Sequence, residues 1–114
     1  MTIEWDELPD IVKTFMTAID SRDDAGALAA LTDDAVVTDE GHDHHGRAAI
    51  EAWMAEAVSG SPFTYTAEFT GATATDTGVE VRQHLEGDFP GGVVDLHYRF
   101  RMDGALIGRA VIEP

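Results

Sequence analysis

VVDLHYRFRMDGALIGRAVI, residues 93–112, carries the pattern from which the fold is read. Along an extended chain Val94, Leu96, Tyr98, Phe100 and Met102 fall on one side, and Val93, Asp95, His97, Arg99 and Arg101 on the other. One apolar side and one polar side with period two describe a half-buried strand. Asp103-Gly104 follows, then a second run from Leu106 to Ile112. Asp-Gly between two alternating runs is a strong hairpin signal, because both residues tolerate the positive φ of a tight turn. In the second run Leu106, Gly108, Ala110 and Ile112 are expected to face inward, opposite Ala105, Ile107, Arg109 and Val111. The small Gly108 and Ala110 leave room for a cavity, or let a helix approach closely.

The same period extends upstream as far as Pro62. Val79–Gly87 alternates, with Val79, Val81, Gln83 and Leu85 opposite Glu80, Arg82, His84 and Glu86. Phe63–Thr75 is a further strand, and Asp76-Thr77-Gly78 and Asp88–Gly92 are turns. Before Pro62 the spacing is helical. Ile11, Val12, Phe15, Met16 and Ile19 form one stripe on a helix that starts near Pro9, a favourable first-turn residue. A short helix through Leu31 follows, capped by Asp23 or Asp24 and weakened by Gly26. Asp33-Asp34 reads as a turn, Ala35–Thr38 as a short strand and Gly41–Gly46 as a loop. A third helix from Arg47 to Ala57 places Ile50, Trp53, Met54 and Ala57 on one face. Helices first and an antiparallel meander afterwards predict one α+β domain over residues 1–114.

Composition narrows the function classes. The 114 residues hold 22 acids against seven basic residues, a formal net charge of −15. Such a field repels phosphate backbones and anionic membranes, so neither nucleic acid nor a membrane is an expected partner. Without cysteine there is no disulfide and no thiolate metal site. The opening MTIEWDELPD is acidic and does not read as a secretion signal, so a cytoplasmic protein is expected.

DDAVVTD (33–39), HGRAAIEAWM (45–54) and HYRFRMDGALIGRAVI (97–112), in this order and spacing, resemble the nuclear transport factor 2-like superfamily, in its SnoaL-like and ketosteroid-isomerase-like branches. The resemblance runs from about Glu7 to Ile112. It implies three N-terminal helices packed on a strongly curved antiparallel sheet, a cone-shaped α+β barrel enclosing an apolar pocket. In the ketosteroid-isomerase-like proteins a carboxylate moves a proton between two substrate carbons, and that carboxylate matches Asp39. The family's two proton donors for the developing enolate match Phe15 and Leu96. Neither of these donates a hydrogen bond, so steroid isomerisation by that donor pair is not expected. Arg99, Arg101 and Arg109 point away from the implied pocket, which argues against the Asp-Arg-Asp epoxide hydrolases of the superfamily.

Each site residue has two readings. Asp39 is a general base at a strand end, or a solvated acid. The run GHDHH, with His42, His44 and His45, is an exposed loop, a set of metal ligands, or a pocket mouth at which His42 or His45 donates or relays a proton. It lacks the rigid i, i+4 spacing of a helical ligand pair, so no metal and no cofactor are expected. Gln83 meets a ligand oxygen or a helix end. Phe15, Trp53, Leu96, Tyr98, Phe100 and Ala110 form the pocket wall, and Tyr98 is equally readable as core. The expected activity is acid/base proton transfer of isomerase, cyclase or dehydratase type on a small apolar or aromatic molecule, with Asp39 and His42 catalytic. The other reading is a non-catalytic ligand-binding or dimerisation module. The polar outer face of the sheet, with His84, Asp95, His97 and the arginines, suits a homodimer.

Overall fold

The computed structural model describes all residues, 1–114. A two-residue strand β1 (Thr2–Ile3) and a single 3₁₀ turn at Trp5–Glu7 lead into α1 (Asp10–Asp20), whose buried stripe is Val12, Phe15, Met16, Ala18 and Ile19. α2 (Asp24–Ala29) is capped by Asp23, which accepts a hydrogen bond from the Gly26 amide at 3.0 Å. Gly26 lowers helix propensity, but a Cβ there would stand 2.5 Å from the capping carboxylate. The glycine therefore makes room for the cap. Asp23→Ala is expected to cost about 1 kcal/mol of stability by denaturant titration, the usual worth of an N-cap.

β2 (Leu31–Asp39) is longer than the expected Ala35–Thr38. The Asp33-Asp34 pair lies inside it with both side chains exposed, and it is not a turn. β3 (His42–His45) takes the place of the expected loop. The two strands form a hairpin in which Asp39 pairs with His42. Glu40 and Gly41, with φ of 51° and 77°, make the connecting turn, the positive pair that a two-residue hairpin needs. α3 (Gly46–Ala57) follows and buries Ile50, Trp53 and Met54. β4 (Tyr65–Ala74), β5 (Gly78–Gly87), β6 (Val93–Asp103) and β7 (Leu106–Glu113) complete the meander.

The sheet has seven strands in the order β1-β4-β5-β6-β7-β2-β3. It departs from the expectation in two ways. It is mixed rather than antiparallel, because β2 runs parallel to β7, with Asp39 opposite Ile112. It is also open, with β1 and β3 as its edges, and is not a closed barrel. A strand placed beside β7 after two helices can run in either direction, and the chain's path through α1 and α2 makes it parallel.

A third correction concerns β7. Arg101 pairs with Arg109 and Met102 with Ile107, so Gly108 is an extra residue in the ladder. The bulge inverts the alternation before it. Ile107 is fully buried where an outward residue was expected, while a side chain at Gly108 would meet Asp103 and Arg101 of the outer face. Ala110 and Ile112 keep the inner face. The helix stripes and the inner sheet residues merge into one core of 24 buried residues.

The outer face is a web of opposite charges. Glu80 holds Arg82 at 3.0 Å, Arg99 at 2.9 Å and His97 at 3.2 Å. Partial burial opposes the charge of Glu80, but the hydrogen bonds from His97 and Arg82 and the charge of Arg99 outweigh it, so its pKa is lowered. His84 lies between Asp95 at 2.7 Å and Glu86 at 2.8 Å. The hydrogen bond to Asp95 first, and that to Glu86 second, hold its pKa above the ordinary value of 6.5. Folding thus favours its protonated form. That contribution is complete below the unfolded pKa and is lost as pH rises through the folded one. An NMR titration is expected to place His84 above an ordinary histidine, and Asp95→Asn to bring its midpoint down. An unchanged midpoint in the variant would remove the pairing.

Candidate active site

Asp39 ends β2 on the inner face, in line with Ala35 and Val37. Register then decides which histidines join it. Pairing of Asp39 with His42 and of Val37 with His44 places both histidines on Asp39's face, while Thr38, Asp43, Val36 and His45 occupy the other. α3 folds back over the hairpin, and Trp53 lies about two turns along it. Its indole Nε1 donates to Asp39 Oδ2 at 3.0 Å. Asp39 Oδ1 takes no hydrogen bond from the protein. The His44 ring stands 6.0 Å from that of Trp53.

These groups line a cleft of about 470 Å³ whose wall includes Asp39, Glu40, His42, His44, Trp53 and Phe63. The far wall is fixed from the turn between α1 and α2: the Arg22 guanidinium donates to the carbonyls of Ser61 (2.8 Å) and Phe63, clamping the segment between α3 and β4. On the opposite face Asp43 accepts from the Thr38 hydroxyl at 2.5 Å, and Arg109 donates to Thr38 at 3.2 Å. The Thr38 hydrogen bond is the main reason that Asp43 has a lowered pKa; desolvation, next in size, opposes it, and the charges of Arg109, His45 and His44 add to the lowering. Strand alternation puts Asp43 on the face away from the cleft, where its hydrogen bond from Thr38 anchors the hairpin.

The expected site residues divide between places. Asp39, His42 and Trp53 are brought together in the cleft. Phe15 and Phe100 are core, their rings edge-to-face at 5.5 Å. Ala110 is fully buried, and Leu96 is half-buried against the core. Gln83 is buried and donates through Nε2 to Asp20 Oδ2 at 2.9 Å, which ties β5 to the end of α1. Tyr98 is buried and takes no hydrogen bond from the protein. Burial first, then the charges of Tyr65, Asp20 and Asp39, push its pKa far above the phenol range and keep it neutral. Tyr98 and Asp39 lie in one cross-strand row, both paired with Ile112.

Sequence reasoning did not single out His44 for the cleft. Period-two alternation through HDHH, once read as a strand, places His42 and His44 on one side and would have found it. No three His, Asp or Glu side chains converge closely enough to hold a metal ion. No helix is long and apolar enough to cross a membrane.

A family model for a SnoaL-like domain matches residues 12–109. Among solved structures, a protein of Sinorhizobium meliloti assigned as a polyketide cyclase is 32% identical, with 97% of this chain and 100% of that chain covered and a TM-score of 0.85. A Catenulispora acidiphila protein with a ketosteroid isomerase-like fold, in complex with trimethylamine, is 18% identical over 94% of this chain and 86% of its own, with a TM-score of 0.79. The Delta 5-3-ketosteroid isomerase of a Mycobacterium species is 21% identical over 92% and 90%, with a TM-score of 0.71. The last two speak to fold alone. Among curated proteins, none matches the sequence. The family model spans most of the domain, and the Sinorhizobium structure is alike over almost the whole chain: the chain belongs to the SnoaL-like family.

Proposed function

We propose that the protein is an acid/base enzyme that moves a proton on a small apolar or aromatic molecule held in the Asp39 cleft, in a reaction of isomerase, cyclase or dehydratase type. One observation carries the reading. Asp39 has one oxygen fixed by Trp53 Nε1 at 3.0 Å and the other unpaired, on the wall of a cleft of about 470 Å³. A carboxylate fixed through one oxygen can present the other to a C–H bond without losing orientation. Asp39 takes the proton from a carbon next to a carbonyl, the electron pair moves into the enolate, and the proton returns to the same or a conjugated carbon. His42 and His44 line the same wall and can donate to the developing oxygen.

The aromatic wall of Trp53 and Phe63 favours a flat or apolar substrate, and the polyketide-cyclase assignment of the Sinorhizobium relative points the same way. The test is solvent deuterium exchange at the acidic carbons of β-tetralone, followed by NMR. Wild-type protein is expected to accelerate exchange, and Asp39→Asn to abolish the acceleration. No acceleration with β-tetralone or with any of a panel of aryl ketones and cyclic enones would defeat the enzyme reading.

A filled interior favours the second reading, a non-catalytic ligand-binding module. Phe15 packs on Phe100 where the resemblance places a donor. In that case ligands bind without exchange, and Asp39→Asn leaves their affinity unchanged.

The partner surface is proposed to be the outer face of the sheet, where a second copy of the chain would dock in the cytoplasm. Alternating charges and Val93, 58% exposed, support a two-fold polar contact with an apolar centre. Sedimentation is expected to show a dimer that Val93→Glu weakens. A monomer at all concentrations would remove the proposal.

A further inference from the structure

A separate cleft of about 440 Å³ lies between the end of α1 and strands β4 and β5, lined by Trp5, Thr17, Asp20, Ala67, Phe69 and Gln83 among others. It shares no residue with the Asp39 cleft. Its floor contains an unmet need. Gln83 is 4% exposed, and while its Nε2 donates to Asp20, its buried Oε1 has no hydrogen-bond partner. A buried amide oxygen without a donor is costly, and native structures rarely keep one. Turning the amide round is no remedy, since it would set Oε1 against the Asp20 carboxylate, two acceptors face to face.

The neighbouring groups are also acceptors. Asp20 takes hydrogen bonds from Gln83 at 2.9 Å and from the Tyr65 hydroxyl at 3.3 Å, which leaves carboxylate lone pairs unused. Asp20 as a residue is exposed, yet protein atoms crowd its carboxyl. That crowding raises its pKa, and the hydrogen bonds from Gln83 and Tyr65 only partly offset the rise. An incoming positive donor would relieve it. The remaining wall is aromatic: Trp5 and Phe69 meet edge-to-face at 5.6 Å and 74°. Neither Lys nor Arg lines the cleft, and the chain's net charge of −15 draws cations toward it.

We propose that this cleft is a second binding site, for a small planar aromatic molecule with two neighbouring N–H donors, of the aryl amidine or amino-heteroaromatic class. The free protein closes Gln83 Oε1 to solvent, and a small shift of the amide edge opens it on binding; one N–H then meets Oε1, the other meets the Asp20 carboxylate, and the ring lies against Trp5 and Phe69. The site rests on no residue of the proposed active site, so each can fail without the other.

The chain has two tryptophans, one on each cleft. Their indole N–H signals therefore report the two sites separately in an NMR titration of isotope-labelled protein with benzamidine. The Trp5 signal is expected to move with saturation, and the Trp53 signal to stay. Benzyl alcohol and toluene, of similar shape but without the paired donors, are expected to bind at least tenfold more weakly. Gln83→Leu removes the acceptor at nearly constant volume and is expected to weaken benzamidine at least tenfold. Thr17→Arg, at an exposed position of α1, fills the cleft and is expected to abolish the Trp5 shift even if the first variant does not fold. A still Trp5 signal at the highest benzamidine concentration, a response confined to Trp53, or full affinity in both variants would overturn the proposal.

Discussion

Phe15→Ala is expected to lower the unfolding free energy by about 3–5 kcal/mol, the usual cost of removing a buried phenylalanine ring. Phe15 is wholly inaccessible, its ring is edge-to-face with Phe100 at 5.5 Å, and it belongs to the single core that joins α1 to the sheet. Lost transfer energy and the remaining cavity both count, because rigid strands close a void only partly. Domains of this size have roughly 5–15 kcal/mol in all, so the variant would stand near the limit of folding. Urea titration measures it. A loss under about 1 kcal/mol would mean that space already exists around the ring, and would revive an open pocket beneath α1. Phe15→Leu, closer in volume, is expected to cost about 1.5 kcal/mol or less.

In the exchange assay, Asp39→Asn is expected to reduce any catalysed rate by about a hundred- to ten-thousand-fold, the range for a positioned general base. An amide has no basic lone pair for the proton. Its carbonyl oxygen can still accept from Trp53, so the fold and the cleft should survive. Trp53→Phe tests a different thing. It keeps the carboxylate and most of the ring but removes the hydrogen bond at 3.0 Å. A loss of about tenfold, mainly in kcat, is expected from a base that remains present but is no longer aimed. Equal rates in wild type and Asp39→Asn would show that the proton goes elsewhere. A Trp53→Phe loss as large as that of Asp39→Asn would make the indole itself part of the chemistry.

The parts of the fold legible in the sequence are those where one residue type marks one side. α1 announces itself through Val12, Phe15, Met16 and Ile19, and the β6–β7 hairpin through Tyr98, Phe100 and Asp103-Gly104. β3 gives no such mark, since His42 to His45 has no apolar side to alternate, and its turn puts a glutamate at a positive φ that glycine or asparagine usually fills. The bulge at Gly108 is a single inserted residue, invisible to a period count, and it reversed the expected roles of Ile107 and Gly108. The parallel direction of β2 depends on partners far away in the chain. For the candidate cleft, Asp39 and His42, both on its wall, were legible as candidates in the sequence. Its hydrogen bond to Trp53 needed the packing of α3 over the hairpin, and the separation of Gln83 into another cleft needed the end of α1.

The parallel contact between β2 and β7 has a consequence for how the protein comes together. Asp39 meets Ile112, 73 positions later by subtraction of their numbers. Helices α1 and α3 and the hairpin β2–β3 can form from neighbours in sequence, but β2 is flanked on its other edge only when β7 has arrived. Contacts of such separation carry the entropy of closing a long loop and belong to the slow part of folding. The strand that presents the carboxylate is thus among the last to be locked, and a chain caught before that step would hold its histidine hairpin and its helices while the acid at their junction still lacked a fixed place.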